Sequence, residues 1–279
     1  MSMSFPCALR ITLRGLAQIF LLRRAASGLL VGAGVLLASP RLAGVALLGS
    51  ALGAALAWLL GRPREEVRAG LHGYNAALAA MALQVLYAPP FLALVWAAVA
   101  ATLAGVLWRG VRGWLVPVYT VPFLLTAWIV MALAPQWSLQ PQPLPAAAAD
   151  GFGLGAGLLH GLGQVVFVQS VPAALCAVAA IALESPRLAL RVLAASALGL
   201  ALGTLAERPA GDLSAGLAGF NAVLCALALG ARASLPACLA AATGATALSL
   251  AAQGAGIPAF TAPFILCTWA ALLAARHGR

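Results

Sequence analysis

Apolar residues fill this chain in long runs that are interrupted by Pro, Gly and Arg and carry no polar face of their own. Such runs read as helices that are apolar on every side, and about 20 residues of that kind cross a hydrocarbon layer about 30 Å thick. Ten runs are expected to be full spans: 25–39, 42–60, 70–88, 91–108 and 114–134, then 171–183, 188–206, 215–231, 235–251 and 257–275. Ten-residue alternating segments of the barrel type are absent, so helices are the available spanning element.

Two stretches do not fit as spans. The eight residues between Arg14 and Arg23 are too few to cross, and the segment from His160 to Gln169 is broken by Gly161, Gly163 and Gln164. Each precedes a short span. Short or Gly-interrupted apolar segments at matching places in two halves point to half-membrane helices at a midplane binding site.

The halves do match. At an offset of 146, Ser39-Pro40-Arg41-Leu42-Ala43 recurs as Ser185-Pro186-Arg187-Leu188-Ala189, and Arg62-Pro63 as Arg208-Pro209. Gly15-Leu16-Ala17-Gln18 recurs as Gly161-Leu162-Gly163-Gln164, and Gly73-Tyr74-Asn75-Ala76 as Gly219-Phe220-Asn221-Ala222. At an offset of 141, Thr120-Val121-Pro122-Phe123 recurs as Thr261-Ala262-Pro263-Phe264. The chain therefore reads as a fused duplication, with halves 1–146 and 147–279. Five spans per half is an odd number, so the second half is expected to enter from the opposite side, giving two inverted repeats.

Composition sharpens this picture. Residues are 63% hydrophobic and 8% charged, with a mean hydropathy of +1.02. Soluble domains carry about 25% charged residues, so a soluble enzyme is excluded. All 16 basic residues are Arg and give a net charge of +10. They stand singly or in small groups between apolar runs, as interfacial anchors do, and not as a patch for nucleic acid. With the N-terminus inside, 14 of the 16 fall on the inner side, leaving Arg41 and Arg208 outside, as the positive-inside rule requires. Both termini are thus expected in the cytoplasm. The first twenty residues do not read as a signal peptide, because Arg10 and Arg14 interrupt them. The absence of Lys fits a bacterial source and an inner membrane.

Candidate chemistry is sparse. Gln18 with Gln164, Asn75 with Asn221, and Thr120 with Thr261 are neutral polar pairs inside apolar stretches. An isolated amide in a membrane bundle usually bonds a neighbouring helix. Three pairs related by one repeat instead suit a pore lined by oxygens, which can replace the hydration of a small neutral solute. Leu21 and Phe167 lie three residues past the glutamines, and Leu78 and Leu224 three past the asparagines, on the same helical faces. They read either as core packing or as the flat walls of a slot. The acids Glu65, Glu66, Asp150, Glu184, Glu207 and Asp212 lie at span ends or in loops, so ion coupling through a buried carboxylate has no candidate. His72 has Ala218 as its counterpart. His160 stands where the first half has Arg14 and reads as a half-helix end or an interfacial residue. No ligand spacing for a metal and no nucleophile with an adjacent base are present, so no cofactor and no enzyme activity are expected. Cys7, Cys176, Cys225, Cys238 and Cys267 are scattered and read as small hydrophobes.

These elements resemble the urea transporters. The resemblance rests on Arg14-Gly15-Leu16-Ala17-Gln18 and on Gly70-Leu71-His72-Gly73-Tyr74-Asn75 with Gly216-Leu217-Ala218-Gly219-Phe220-Asn221. It rests also on Val116-Pro117-Val118-Tyr119-Thr120-Val121-Pro122-Phe123 with Ile257-Pro258-Ala259-Phe260-Thr261-Ala262-Pro263-Phe264. The resemblance implies a homotrimeric, channel-like facilitator with one pore per protomer, passing urea through a slot edged by oxygens. Gln18 and Gln164 would bind urea at the two ends, Thr120 and Thr261 would supply hydroxyls toward the middle, and Leu78, Leu224 and Phe167 would line the faces. The motifs supply Tyr74, Asn75, Pro122, Phe220, Asn221 and Pro263 as supporting positions. Leu21, with Phe20 beside it, departs from the Phe often found at the first position. The rival readings are a channel of the same build for a short amide, ammonia or water, an ion-coupled carrier, and a non-transporting scaffold or sensor.

Overall fold

The computed structural model describes residues 4–110, 116–142, 153–230 and 232–277. The start of the run at 114, the junction at 146/147, Arg112, Asp150, the end of the run at 231 and Arg279 lie outside the described residues. Every regular element among them is helical. The backbone divides into two compact units, residues 1–113 with 118–144, and residues 114–117 with 145–279.

Unit one contains α1 (Phe5–Ile19), α2 (Ala25–Ala38), α3 (Pro40–Leu59), α4 (Arg64–Arg68), α5 (Gly73–Tyr87), α6 (Phe91–Gly110) and α7 (Val121–Leu133). Unit two contains α8 (Leu154–Gly163) with a 3-10 turn at Gln164–Val166, then α9 (Val171–Glu184), α10 (Pro186–Leu205), α11 (Ala210–Ser214), α12 (Phe220–Leu229), α13 (Leu235–Gly254) and α14 (Ala262–His277). The order of long and short helices is the same in both. Ser39 ends α2 and starts α3, its hydroxyl accepting from Leu42 N at 3.2 Å, and Ser185 does the same for Leu188 N at 3.2 Å. Pro at the first helical position needs no N–H partner, so Ser-Pro makes each joint one residue long.

Among the described residues four helices, α3, α6, α10 and α13, are long and apolar enough to cross a membrane, and each has 20 residues. The pair α8 and α9, bent by 74° across a short break, has the form of a broken span or a re-entrant loop. This is a multi-span, all-α membrane protein. Several runs expected as full spans form shorter helices. In the described part of the run at 114–134 the helix covers Val121–Leu133, because Pro122 lacks an N–H and so suits a helix start and not its interior. The run at 70–88 is helical only from Gly73, because the chain turns through Gly70 at φ +77°. Conversely, α1 begins at Phe5, well before Arg14, with Arg10 on its exposed side.

In unit one, α5 packs against α1, α3, α6 and α7, and every residue from Gly73 to Gln84 is buried. In unit two, α12 packs against α8, α10, α13 and α14, and Asn221 to Leu229 are all buried. A helix apolar on every side belongs in such a core. The two core helices carry the Asn motifs.

Candidate functional site

The glutamines sit where the first helix of each unit stops. After Gln18, α1 ends and the chain turns through Leu21 at φ +56°; after Gln164, it turns through Phe167 at φ +58°. A left-handed conformation at a non-glycine residue is unfavourable, and such strain gathers at functional sites. Phe20 lies in the core with no exposed surface, so it does not take the place of an aromatic at Leu21. Leu21 and Phe167, both half-buried, share one backbone conformation.

Each glutamine amide is anchored by its nitrogen. Gln18 Nε2 donates to Ala69 O at 3.2 Å, and Gln164 Nε2 donates to Ala215 O at 2.8 Å. A carbonyl can only accept, so this contact fixes which end of the amide faces the backbone and turns Oε1 away from it. Both side chains are half-buried. Each is thereby held with Oε1 as its accepting end.

The asparagines do different work. Asn75 Nδ2 donates to Tyr119 O at 3.1 Å, while its Oδ1 accepts from Phe123 N at 3.2 Å. Tyr74 Oη also donates to Tyr119 O, at 2.5 Å. In unit two, Asn221 Nδ2 donates to Phe260 O at 3.1 Å and to Ser249 Oγ at 2.8 Å, and Oδ1 accepts from Phe264 N at 3.2 Å. Phe220 has no hydroxyl, and Ser249 supplies the extra bond there. Each asparagine thus bridges the two ends of a tight turn, at left-handed Tyr119 (φ +46°) or Phe260 (φ +45°). Thr120 and Thr261 lie inside those turns, Thr120 buried and Thr261 half-buried, with Pro122 and Pro263 starting α7 and α14. Both ends of each asparagine amide are committed to these contacts. Leu78 and Leu224 face the interior of their units, 3% and 2% exposed.

Several contributors lie outside the site residues expected from the sequence. Arg14 Nη1 donates to Arg68 O at 2.9 Å, and His160 Nδ1 donates to Ser214 O at 2.7 Å. His160 is 2% exposed and sits in the last turn of α8. Ser50 Oγ donates to Thr12 O at 2.8 Å, and Ser196 Oγ to Leu158 O at 2.6 Å, tying the first helix to the third in each unit. Ser50 and Ser196 stand 146 apart, a match that the internal comparison could have singled out.

Two ion pairs form at matching places in the units. Arg62 meets Glu66 at 3.5 Å, and Arg208 meets Asp212 at 2.9 Å. His72 donates from Nε2 to Glu66 Oε2 at 3.0 Å. Among the described residues no cluster of three or more His, Cys, Asp or Glu is placed to hold a metal, and the five cysteines are free thiols.

Comparison with known proteins bears on the whole arrangement. Residues 9–276 match a family profile described as UT, urea transporter. The chain is similar to Urea transporter 1 of Rattus norvegicus, 27% identical over 236 residues, and to Urea transporter 1 of Ovis aries, 26% identical over 242 residues. Each match covers 78% of this chain and 62% of the relative. The chain thus spans about three fifths of the length of the curated relatives it matches.

Proposed function

We propose, since the chain belongs to the urea transporter family, that it is a passive, channel-like facilitator built of two inverted repeats that lets urea down its gradient through a narrow slot. The observation that carries this reading is the paired glutamine geometry. With Nε2 committed to Ala69 O or Ala215 O, each Oε1 is a pure acceptor set at the end of a helix. Such an atom selects a solute with N–H donors. Urea carries four of these and one acceptor oxygen, and it has no charge to desolvate. A bare ion would have to be stripped of water against neutral groups alone, at far greater cost.

In this reading α1 and α8 are half-membrane pore helices, and five segments in each unit cross the bilayer, the shorter ones completed by extended chain. Gln18 and Gln164 bind urea at the two ends. Thr120 and Thr261 offer hydroxyls toward the middle, while Leu21, Leu78, Phe167 and Leu224 form apolar walls. Three copies assemble in an inner membrane with both termini in the cytoplasm. Arginine pairing of Glu66 and Asp212 favours this uncoupled mechanism over an ion-coupled carrier, since neither acid stands as a lone carboxylate.

Stopped-flow urea efflux from liposomes holding the purified protein tests the reading. Urea is expected to leave much faster than through bare lipid, independently of pH or sodium gradients, and the Gln18→Leu, Gln164→Leu double variant is expected to abolish the excess. Formamide crossing at wild-type rates while urea does not would leave the fold and remove the substrate.

A further inference from the structure

The two carbonyls that hold the glutamines are not alone. Ala69 O follows Arg68 O, which accepts from Arg14, and Ala215 O follows Ser214 O, which accepts from His160. These carbonyls lie at the C-terminal ends of the five-residue helices α4 and α11, where backbone acceptors lack an intrahelical partner. The turn bonds there use the carbonyls of Glu65, Glu66 and Val67, or of Gly211, Asp212 and Leu213, and pass over the next two. Both passed-over acceptors in each unit are taken by side chains four residues apart on one helix face, 14 with 18 and 160 with 164.

Close approach makes this possible. Gly70 and Gly216 follow the paired carbonyls at φ +77° and +78°. A Cβ on either would lie 2.5 Å from the backbone of Arg14 and Gly15, or 2.3 Å from that of His160 and Gly161. The pore helix therefore rests directly on the short helix.

We propose that Arg14 and His160 are positioning residues that aim the Oε1 atoms of Gln18 and Gln164 at the passing solute, a role that rests on the reading of those glutamines given above. Without the first bond the short helix end can rotate, and Ala69 O or Ala215 O no longer fixes the amide. Different chemistry does one job in the two units. A guanidinium serves in one, and in the other an imidazole that must carry its proton on Nδ1, because Ser214 O only accepts.

The test compares His160→Leu, which removes the donor, with His160→Asn and His160→Arg, which keep one, in the same liposome assay with formamide measured beside urea. Loss of one oriented hydrogen bond is expected to lower urea flux about tenfold in His160→Leu. The urea-to-formamide ratio should change with it, while His160→Asn and His160→Arg retain both flux and ratio. Equal loss of both solutes with no rescue by Asn or Arg means that His160 only holds the fold, and it overturns the proposal, as does wild-type behaviour of His160→Leu. If His160→Leu yields no folded protein, Arg14→Leu against Arg14→His reads the same quantity in unit one. Absence of urea flux in the wild-type protein would show in that arm alone and would remove the parent reading together with this one.

Discussion

Replacing Asn75 with alanine removes one side chain and breaks a turn at both ends. Tyr119 O loses the 3.1 Å bond from Nδ2 but keeps Tyr74 Oη, so that end is weakened and not orphaned. Phe123 N loses the bond to Asn75 Oδ1 at 3.2 Å. It belongs to the first turn of α7, where backbone donors have no intrahelical partner, and Phe123 has no exposed surface. Each of the two lost bonds contributes about 0.5–1.5 kcal/mol. The variant is therefore expected to lose about 1–3 kcal/mol. An ordinary interhelical side-chain bond in a membrane protein contributes only about 0.6 kcal/mol on average, so the two descriptions of Asn75 are well separated. Unfolding by SDS in mixed micelles gives the difference directly, and urea flux should fall with it because Thr120 lies between the two released groups. A variant within about 0.5 kcal/mol of wild type with unchanged flux would refute the account of Asn75 as the clamp of this turn.

Gly70→Ala must place an ordinary residue at φ +77°, which costs about 1–2 kcal/mol, and must also press a Cβ against backbone atoms at 2.5 Å. Its yield of monodisperse protein is expected to collapse, whereas Gly44→Ala, with open space around it, should express as wild type. In Gly15→Ala the new Cβ would lie 2.1 Å from Ser50 Oγ and 3.3 Å from Ser50 Cβ. Thermal stability in detergent should drop in that variant and recover in the Gly15→Ala, Ser50→Gly pair; failure of the second change to help would mean that the clash is not the cause.

Much of this was legible because it occurs twice. Asn75 and Asn221, or Gln18 and Gln164, stand out as pairs in a self-comparison even though a lone amide in an apolar run would carry little weight. Their partners were not legible, since Tyr119 O, Phe260 O, Ala69 O and Ala215 O are backbone atoms, and no residue type advertises a free carbonyl 39 to 51 positions away. Helix limits failed for a related reason. Hydropathy cannot tell an apolar helix from an apolar extended segment, so it carries the span back past Pro117 and Pro122 to residues that precede α7. On α1 neither arginine ends the helix, since Arg10 is exposed and Arg14 reaches a carbonyl. Arg14 and His160 stand at matching places in the two halves but differ in residue type, and only their acceptors, Arg68 O and Ser214 O, reveal that they do the same work.

The four long helices have one further consequence. Between the halves the offset falls from 146 at α5 and α12 to 144 at α6 and α13 and to 141 at the threonines, so every deletion lies in a connection. All four long helices nevertheless keep 20 residues, which at 1.5 Å per residue is about 30 Å. Their common measure is the thickness of the hydrocarbon layer itself. Loops answer only to the chain and can shed residues, while these helices answer to the lipid. A membrane much thinner or thicker would mismatch all four together and oblige them to tilt or the bilayer to deform, so acyl-chain length acts on this protein as a mechanical load shared by both halves.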